Sequence, residues 1–219
     1  MPNRDTTNWY EGKDPVSVVD MSLIDILRGV AGASVLDLGC GIGGYSKVLE
    51  RHGHRCLGLD VNQRYVDVAR GIGVDAAVYD GITIPFPDRH FDTTFAIEVL
   101  EHVADPMPLL SEIRRVTRRN FVATVPNCTQ SLGTSGVVFE HMLDADHKNF
   151  FDASSFDALL RSAFGAAEVI QVAPINVGVA TALLPKPLVW QYRALLKLGL
   201  VRPTHFFRLV GICEIDASA

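Results

Sequence analysis

Apolar positions along the chain recur with two alternating periods. Ser34-Val-Leu-Asp-Leu38, Arg55-Cys-Leu-Gly-Leu59, Asp75–Tyr79, Phe91–Ile97 and Phe121–Val125 are short apolar runs bounded by Gly, Pro or Asp, the pattern of strands buried in a sheet. Between them the apolar residues step at helical spacing. Asp14 as N-cap and Pro15 at the first helical position open a predicted helix with Val16, Val19, Leu23, Ile26, Leu27 and Val30 on one face, ending near Gly29 or Gly32. Further helices are predicted over Tyr45–His52, over Val61–Arg70, from Asp105-Pro106 through Val116, and from Asp152 as cap through Ala163. Ala167–Val172 and Phe206–Ile215 read as a closing antiparallel pair. This order predicts an α/β fold: a seven-stranded, mostly parallel sheet with an antiparallel last strand and helices on both faces. Ligands on such a sheet bind at the carboxyl ends of the strands, beside the point where strand order reverses.

Two segments depart from the alternation. Residues 127–151 are polar and aromatic without a period and read as a lid or acceptor loop. Residues 176–203 form an insertion between the last two strands, with Leu188, Val189, Tyr192, Leu195 and Leu196 on one helical face and Arg193 and Lys197 toward the other. Such a helix packs on the body, pairs two copies as a homodimer, or rims the acceptor site. With the N-terminal helical segment, 1–32, these belong to one domain spanning 1–219.

Composition narrows the class. A chain of 219 residues with 48% apolar residues is neither disordered nor too short for a full core. No run of about 18 apolar residues predicts a membrane span. The first residues lack the apolar stretch of a secretory signal, which points to the cytoplasm. Cys40, Cys56, Cys128 and Cys213 form no CxxC pair and suggest neither a zinc ribbon nor a disulfide framework. The net charge of −5 divides unevenly: 169–213 carries Lys186, Arg193, Lys197, Arg202 and Arg208 with no acid, leaving −10 for the rest. An acidic body argues against nucleic acid as a partner.

The strongest local signal is Val35-Leu-Asp37-Leu-Gly39-Cys-Gly41-Ile-Gly43-Gly44. Glycines here let the backbone turn tightly and approach a ligand, and the next helix presents unpaired amides. Gly39, Gly41 and Gly44 also satisfy the dinucleotide fingerprint. Asp37 before the first glycine decides between the two, because it would repel a pyrophosphate and attract an ammonium group.

On these residues the sequence resembles the class I S-adenosylmethionine-dependent methyltransferases, from about Ser34 to Phe164. The resemblance implies S-adenosylmethionine as cofactor, with Asp60 on the ribose hydroxyls and Val61 beside it. Asp80 and Gly81 would lie near the adenine amino group, and Ile82 would supply a backbone contact. Glu98 falls in the fourth-strand region, and Tyr10, beside Trp9, belongs to the segment that closes over the cofactor in related enzymes. A helix N-cap at Asp60 and a turn at Asp80 are the structural alternatives.

Transfer to a hydroxyl needs a base or a metal, since an alcohol must lose its proton. Glu98, Glu101 and His102 stand at i, i+3 and i+4, which one helical turn would place on a common face. The series Glu98-Val-Leu-Glu-His102, Pro126-Asn127 and Asp146-His147-Lys-Asn-Phe150 resembles the small-RNA terminal 2′-O-methyltransferases, where two glutamates and two histidines hold a divalent cation. That resemblance implies Glu98, Glu101, His102 and His147 as ligands of Mg²⁺ or Mn²⁺, with Asp146 or Asp144 orienting His147. Without a metal, His147 or His141 becomes the base, and Asp144 its neighbour. In size and layout the chain is also similar to bacterial sugar and polysaccharide O-methyltransferases, those of the methylmannoside type included, which implies a sugar or oligosaccharide acceptor. N- or O-methylation of a quinol or polyketide, and a non-catalytic S-adenosylmethionine-binding partner protein, are the rival readings.

Overall fold

The computed structural model describes Tyr10, residues 12–128, 146–174 and 185–198, Leu200, and residues 206–215. Its elements are α1 (Met21–Val30), β1 (Ser34–Leu38), α2 (Gly44–Arg51), β2 (Arg55–Asp60), α3 (Gln63–Gly71), β3 (Asp75–Val78), β4 (Phe91–Ile97), a 3-10 turn (Leu100–His102), α4 (Pro106–Val116), β5 (Thr117–Pro126), α5 (Ala153–Phe164), β6 (Glu168–Pro174), α6 (Lys186–Lys197) and β7 (Phe206–Glu214). The seven strands form one sheet in the order β3-β2-β1-β4-β5-β7-β6. β1 to β5 pair in parallel, and β7 runs antiparallel to both β5 and β6. This is the Rossmann-like methyltransferase fold, and strand order reverses between β1 and β4.

Alternation along each strand sorts the core onto two faces. In β1, Leu36 and Leu38 join the side covered by α4 and α5, with Leu110, Ile113, Phe156 and Leu160. Val35 points the other way, into a layer built from Leu23, Ile24 and Leu27 of α1 and Val48 and Leu49 of α2. A smaller cluster, Cys40, Val66, Ala69, Val74 and Ala76, seats α3. Gly211 of β7 lies beneath α5, where a Cβ would meet Leu160.

Helix starts follow their caps. Asp105 accepts from the Met107 amide ahead of Pro106, and Asp152 with Ser155 forms a capping box on α5. One start differs from the sequence reading. Asp14 caps only a short turn, accepting from the Ser17 amide at 3.0 Å, and α1 begins at Met21 with Asp20 as its N-cap. Tertiary contacts select the later cap: the Asp20 amide donates to the Tyr45 hydroxyl at 3.2 Å and its carboxylate pairs with Arg208 at 2.8 Å. Likewise α3 begins at Gln63 rather than Val61, with Asn62 as cap. None of the described helices is long and apolar enough to cross a membrane.

Candidate active site

The loop after β1 is held by its backbone. Gly39, Gly41 and Gly43 have φ of 72°, 53° and 81°, values open to glycine at little cost. The amides of Gly39 and Cys40 donate to the Leu59 carbonyl at 2.7 and 3.1 Å, which ties the loop to the end of β2. Gly58 leaves room for that: a Cβ there would lie 2.6 Å from the Cys40 sulfur.

Asp60 closes β2, and its two oxygens accept from the Gly41 amide and the Asn62 amide, each at 2.8 Å. It is therefore not the N-cap of α3, a role that Asn62 fills. Burial raises its pKa, against the pull of the Asn62 and Gly41 amides. Asp37 lies beneath the loop, 2% exposed, and accepts from the Ser46 hydroxyl at 2.6 Å. Burial pushes its pKa up to about 6 even though Ser46 opposes the shift. Asp37 thus anchors α2 to β1 from inside.

Tyr10 lies over this loop. Its ring meets the position of a Gly41 Cβ and stacks edge-on against Tyr65, with centroids 5.1 Å apart. Burial, then the nearby Asp60 carboxylate, raises its pKa. Past β3, Asp80 takes the turn geometry: its Oδ1 accepts from the amides of Ile82 and Thr83 at 2.8 and 2.6 Å, and these bonds hold its pKa below the ordinary range. Gly81 abuts Val61, and the side chains of Val61 and Ile82 are exposed at neighbouring strand ends.

Beyond β4 the arrangement departs from a common helical face. Glu98 has φ of 55°, so it lies outside any helix, and only Leu100–His102 form a 3-10 turn. The Glu98 amide donates to the Thr124 carbonyl at 3.0 Å, holding this residue to the sheet edge. Its carboxylate accepts from the Thr124 hydroxyl at 2.8 Å and from Arg208 Nε at 3.0 Å, while Arg208 Nη1 reaches Asp20. Glu98 is thereby turned away from Glu101 and His102.

Three of the four proposed metal ligands do come together. Donor atoms of Glu101, His102 and His147 lie within 4.8 Å of one another, with Glu101 buried, His147 half-buried and His102 exposed. The partner segment is sewn to the 3-10 turn: the Lys148 and Asn149 amides donate to the Glu101 carbonyl at 2.6 and 3.0 Å, and the Asn149 side chain donates to the Val103 carbonyl at 2.6 Å. The His102 and His147 rings meet edge-on at 4.8 Å, and the exposed Phe150 ring follows at 6.3 Å from His147. His141, Asp144 and most of the lid segment lie outside the described residues, as does Trp9.

All of these groups stand at the carboxyl ends of the parallel strands. Residues 36–125 match the family model for a methyltransferase domain. The chain is an S-adenosylmethionine-dependent methyltransferase. Among curated relatives, this methyltransferase is 28% identical over 175 residues to the ubiquinone biosynthesis O-methyltransferase of Hahella chejuensis, a match covering 73% of this chain and 74% of that protein. It is 30% identical over 105 residues to the 2-methyl-6-phytyl-1,4-hydroquinone methyltransferase of a Synechocystis strain, covering 45% of this chain and 33% of that one. Among solved structures it is similar to the methyltransferase in a complex with the Haloferax volcanii Trm112 methyltransferase activator, with TM-score 0.67 and 20% identity over 96% of this chain and 97% of that chain. That likeness supports the class I fold.

Sequence reasoning about this methyltransferase missed Arg208 as more than surface charge, and gave Asn149, Ser46 and Thr124 no role. An arginine third in β7, between Phe206-Phe207 and the apolar run Leu209–Cys213, is the signal that could have found the first. The others leave no local trace.

Proposed function

We propose that this methyltransferase acts on a hydroxyl of an aromatic, quinol-type ring. The observation that carries the reading is the Glu101–His102–His147 cluster, which gathers a carboxylate and imidazoles at the strand edge where an acceptor proton must be taken up. The ubiquinone and hydroquinone relatives favour a ring acceptor, and the exposed Phe150 beside His147 offers it an aromatic face. The sugar acceptor implied by chain size and layout has no comparable support among these relatives.

In this reading Gly39, Gly41 and Gly43 let the cofactor approach the backbone, Asp60 holds the ribose hydroxyls, and Val61 and Ile82 flank the adenine above Gly81. Asp80 lies at the mouth near the adenine amino group, and Tyr10 covers the bound cofactor. Asp37 answers the cofactor's ammonium group from below, and Glu98, locked by Thr124 and Arg208, fixes the floor next to the methyl. The acceptor oxygen attacks in line: an oxygen–carbon bond forms as the carbon–sulfur bond breaks, and its electron pair neutralises the sulfonium. His147 takes the hydroxyl proton, as imidazole titrates near neutrality.

The donor set also fits a divalent cation. One donor atom from each of the three residues lies within 4.8 Å of the others, close enough to be drawn together around an ion. Bound there by Glu101, His102 and His147, the ion would supply Lewis-acid stabilisation of the hydroxylate in place of the His147 base, whose ring nitrogen would then be engaged as a ligand. Mixed imidazole and carboxylate donors suit Mn²⁺ better than Mg²⁺.

The test is transfer of an isotopically labelled methyl from S-adenosylmethionine to a catechol, a hydroquinone, a disaccharide and a primary amine, each with and without chelator. Label on a ring oxygen is the expected result. Label on the disaccharide or amine, with none on the phenols, would overturn the ring-hydroxyl reading, and full activity in chelator would remove the cation.

A further inference from the structure

The segment that carries Tyr10 is built as an arm. Between Tyr10 and α1 the chain folds into consecutive turns: the Lys13 amide donates to the Tyr10 carbonyl at 3.0 Å, the Ser17 amide to the Asp14 carbonyl at 3.0 Å, and the Val19 amide to the Val16 carbonyl at 3.3 Å. Turns closed in series leave such a segment few internal joints. The arm crosses the start of α2, where the Pro15 carbonyl and the Val19 side chain close on Gly44 and leave no room for a Cβ. Its tip is the half-buried Tyr10 ring, which a Cβ on Gly41 would meet at 3.0 Å.

At its other end, Asp20, the arm meets a fixed catch. Arg208 Nε donates to Glu98 Oε1, which also accepts from the Thr124 hydroxyl, so the guanidinium is held to the ends of β4 and β5. Nη1 of the same arginine then reaches Asp20 Oδ2 at 2.8 Å, while the Asp20 amide donates to the Tyr45 hydroxyl at 3.2 Å. Only 16% of the Arg208 side chain is exposed, which shields the pair from salt. The other Asp20 oxygen accepts from the Ser22 amide as the cap of α1, which makes Asp20 the joint between arm and helix.

We infer that Arg208 is a positioning residue for cofactor exchange: through Asp20 it holds the Tyr10 arm down on the glycine loop, and the arm swings out when that pair parts. The arm has to move, because Tyr10 lies on Gly41, where the cofactor approaches the backbone. A pair between charged groups is stronger than the neutral bonds along the arm, so its rupture sets the rate of opening. This inference rests on the cofactor placement given under Proposed function and not on the acceptor. An arm that closes alike over an empty and a filled pocket slows entry and exit together, so a weaker catch raises both rates and leaves affinity in place. Damage to the pocket itself raises the exit rate alone and weakens affinity.

The experiment is surface plasmon resonance on the full chain, which gives both rate constants for adenosylhomocysteine. Asp20→Asn removes the charge that meets Arg208 and keeps an equally good helix cap. It should raise the association and dissociation rates by about 10-fold each, with Kd within about 3-fold of wild type. Arg208→Met should do the same, and adding Asp20→Asn to it should change the rates no further, because the pair is already gone. Unchanged rates in Asp20→Asn, faster dissociation with association unchanged, or an Asp20→Asn effect that survives in full beside Arg208→Met would each overturn the proposal. Asp60→Ala is measured alongside. Affinity lost there, with rates unmoved in Asp20→Asn, sinks the catch alone, whereas affinity kept there would overturn the cofactor placement and the catch together. No acceptor enters this measurement, so the ring-hydroxyl reading stands or falls separately.

Discussion

Replacing Asp37 by Asn should change stability in a way that depends on pH, and the burial of its carboxylate sets the size. Burial lifts the titration from an ordinary 3.8 to about 6, although Ser46 pulls it down. A carboxyl that holds its proton more tightly folded than unfolded makes stability fall as pH rises from about 4 to about 6, with the loss complete above both values. The shift corresponds to about 3 kcal/mol against the folded state at neutral pH. Asn is neutral throughout and keeps one oxygen for the Ser46 hydroxyl. Its amide nitrogen replaces the other oxygen, at a cost of about 1–2 kcal/mol at every pH. Urea unfolding near pH 4 and near pH 7.5 therefore should show the variant slightly less stable than wild type in acid and more stable by about 1–2 kcal/mol at the higher pH. A difference that stays constant across that range would refute the buried, destabilising charge. Adenosylhomocysteine, whose ammonium group would compensate that charge, should raise the melting temperature of wild type more than that of the variant.

Other substitutions separate the cofactor side, the acceptor side and the frame. Asp60→Ala should weaken adenosylhomocysteine binding about 100-fold by calorimetry, since two charge-assisted bonds to the ribose would be lost, and unchanged affinity would remove Asp60 from the cofactor site. His147→Ala should lower kcat by about 10²–10⁴-fold while cofactor affinity stays put, and equal loss of both would mean that the acceptor side is misplaced. Arg208→Met strands the carboxylates of Asp20 and Glu98 and should cost about 2–3 kcal/mol in chemical denaturation, less than a fully buried pair because 16% of the Arg208 side chain is exposed. Adding Glu98→Gln to Arg208→Met should recover part of that loss, and no recovery would contradict a shared network.

The parts of this molecule that were legible in the sequence are those whose signals are local. Each parallel strand announced itself as a bounded apolar run, and the loop glycines, Asp60 and Asp80 fall at strand ends because those ends are where the apolar runs stop. The start of α1 is not legible locally: Asp14 and Asp20 both precede helical periodicity, and the choice between them is made by Tyr45 and Arg208, far away in the chain. Spacing puts Glu98 on the face of Glu101 and His102 only if the segment is a helix. The Thr124 bonds keep it on the sheet edge instead, and Arg208, 110 positions later, takes its carboxylate. The clasp of Asn149 on the 3-10 turn, which brings His147 to Glu101, is likewise visible only once the chain has folded.

The central claim is that the glycine loop with Asp60 and the Glu101–His147 cluster are two halves of one site. A crystal structure of the complex with adenosylhomocysteine tests it most directly. The account predicts the ribose hydroxyls on Asp60, the adenine between Val61 and Ile82, and the sulfur directed toward the space before Glu101 and His147. A sulfur facing away from that cluster, or the nucleoside bound elsewhere, would contradict it.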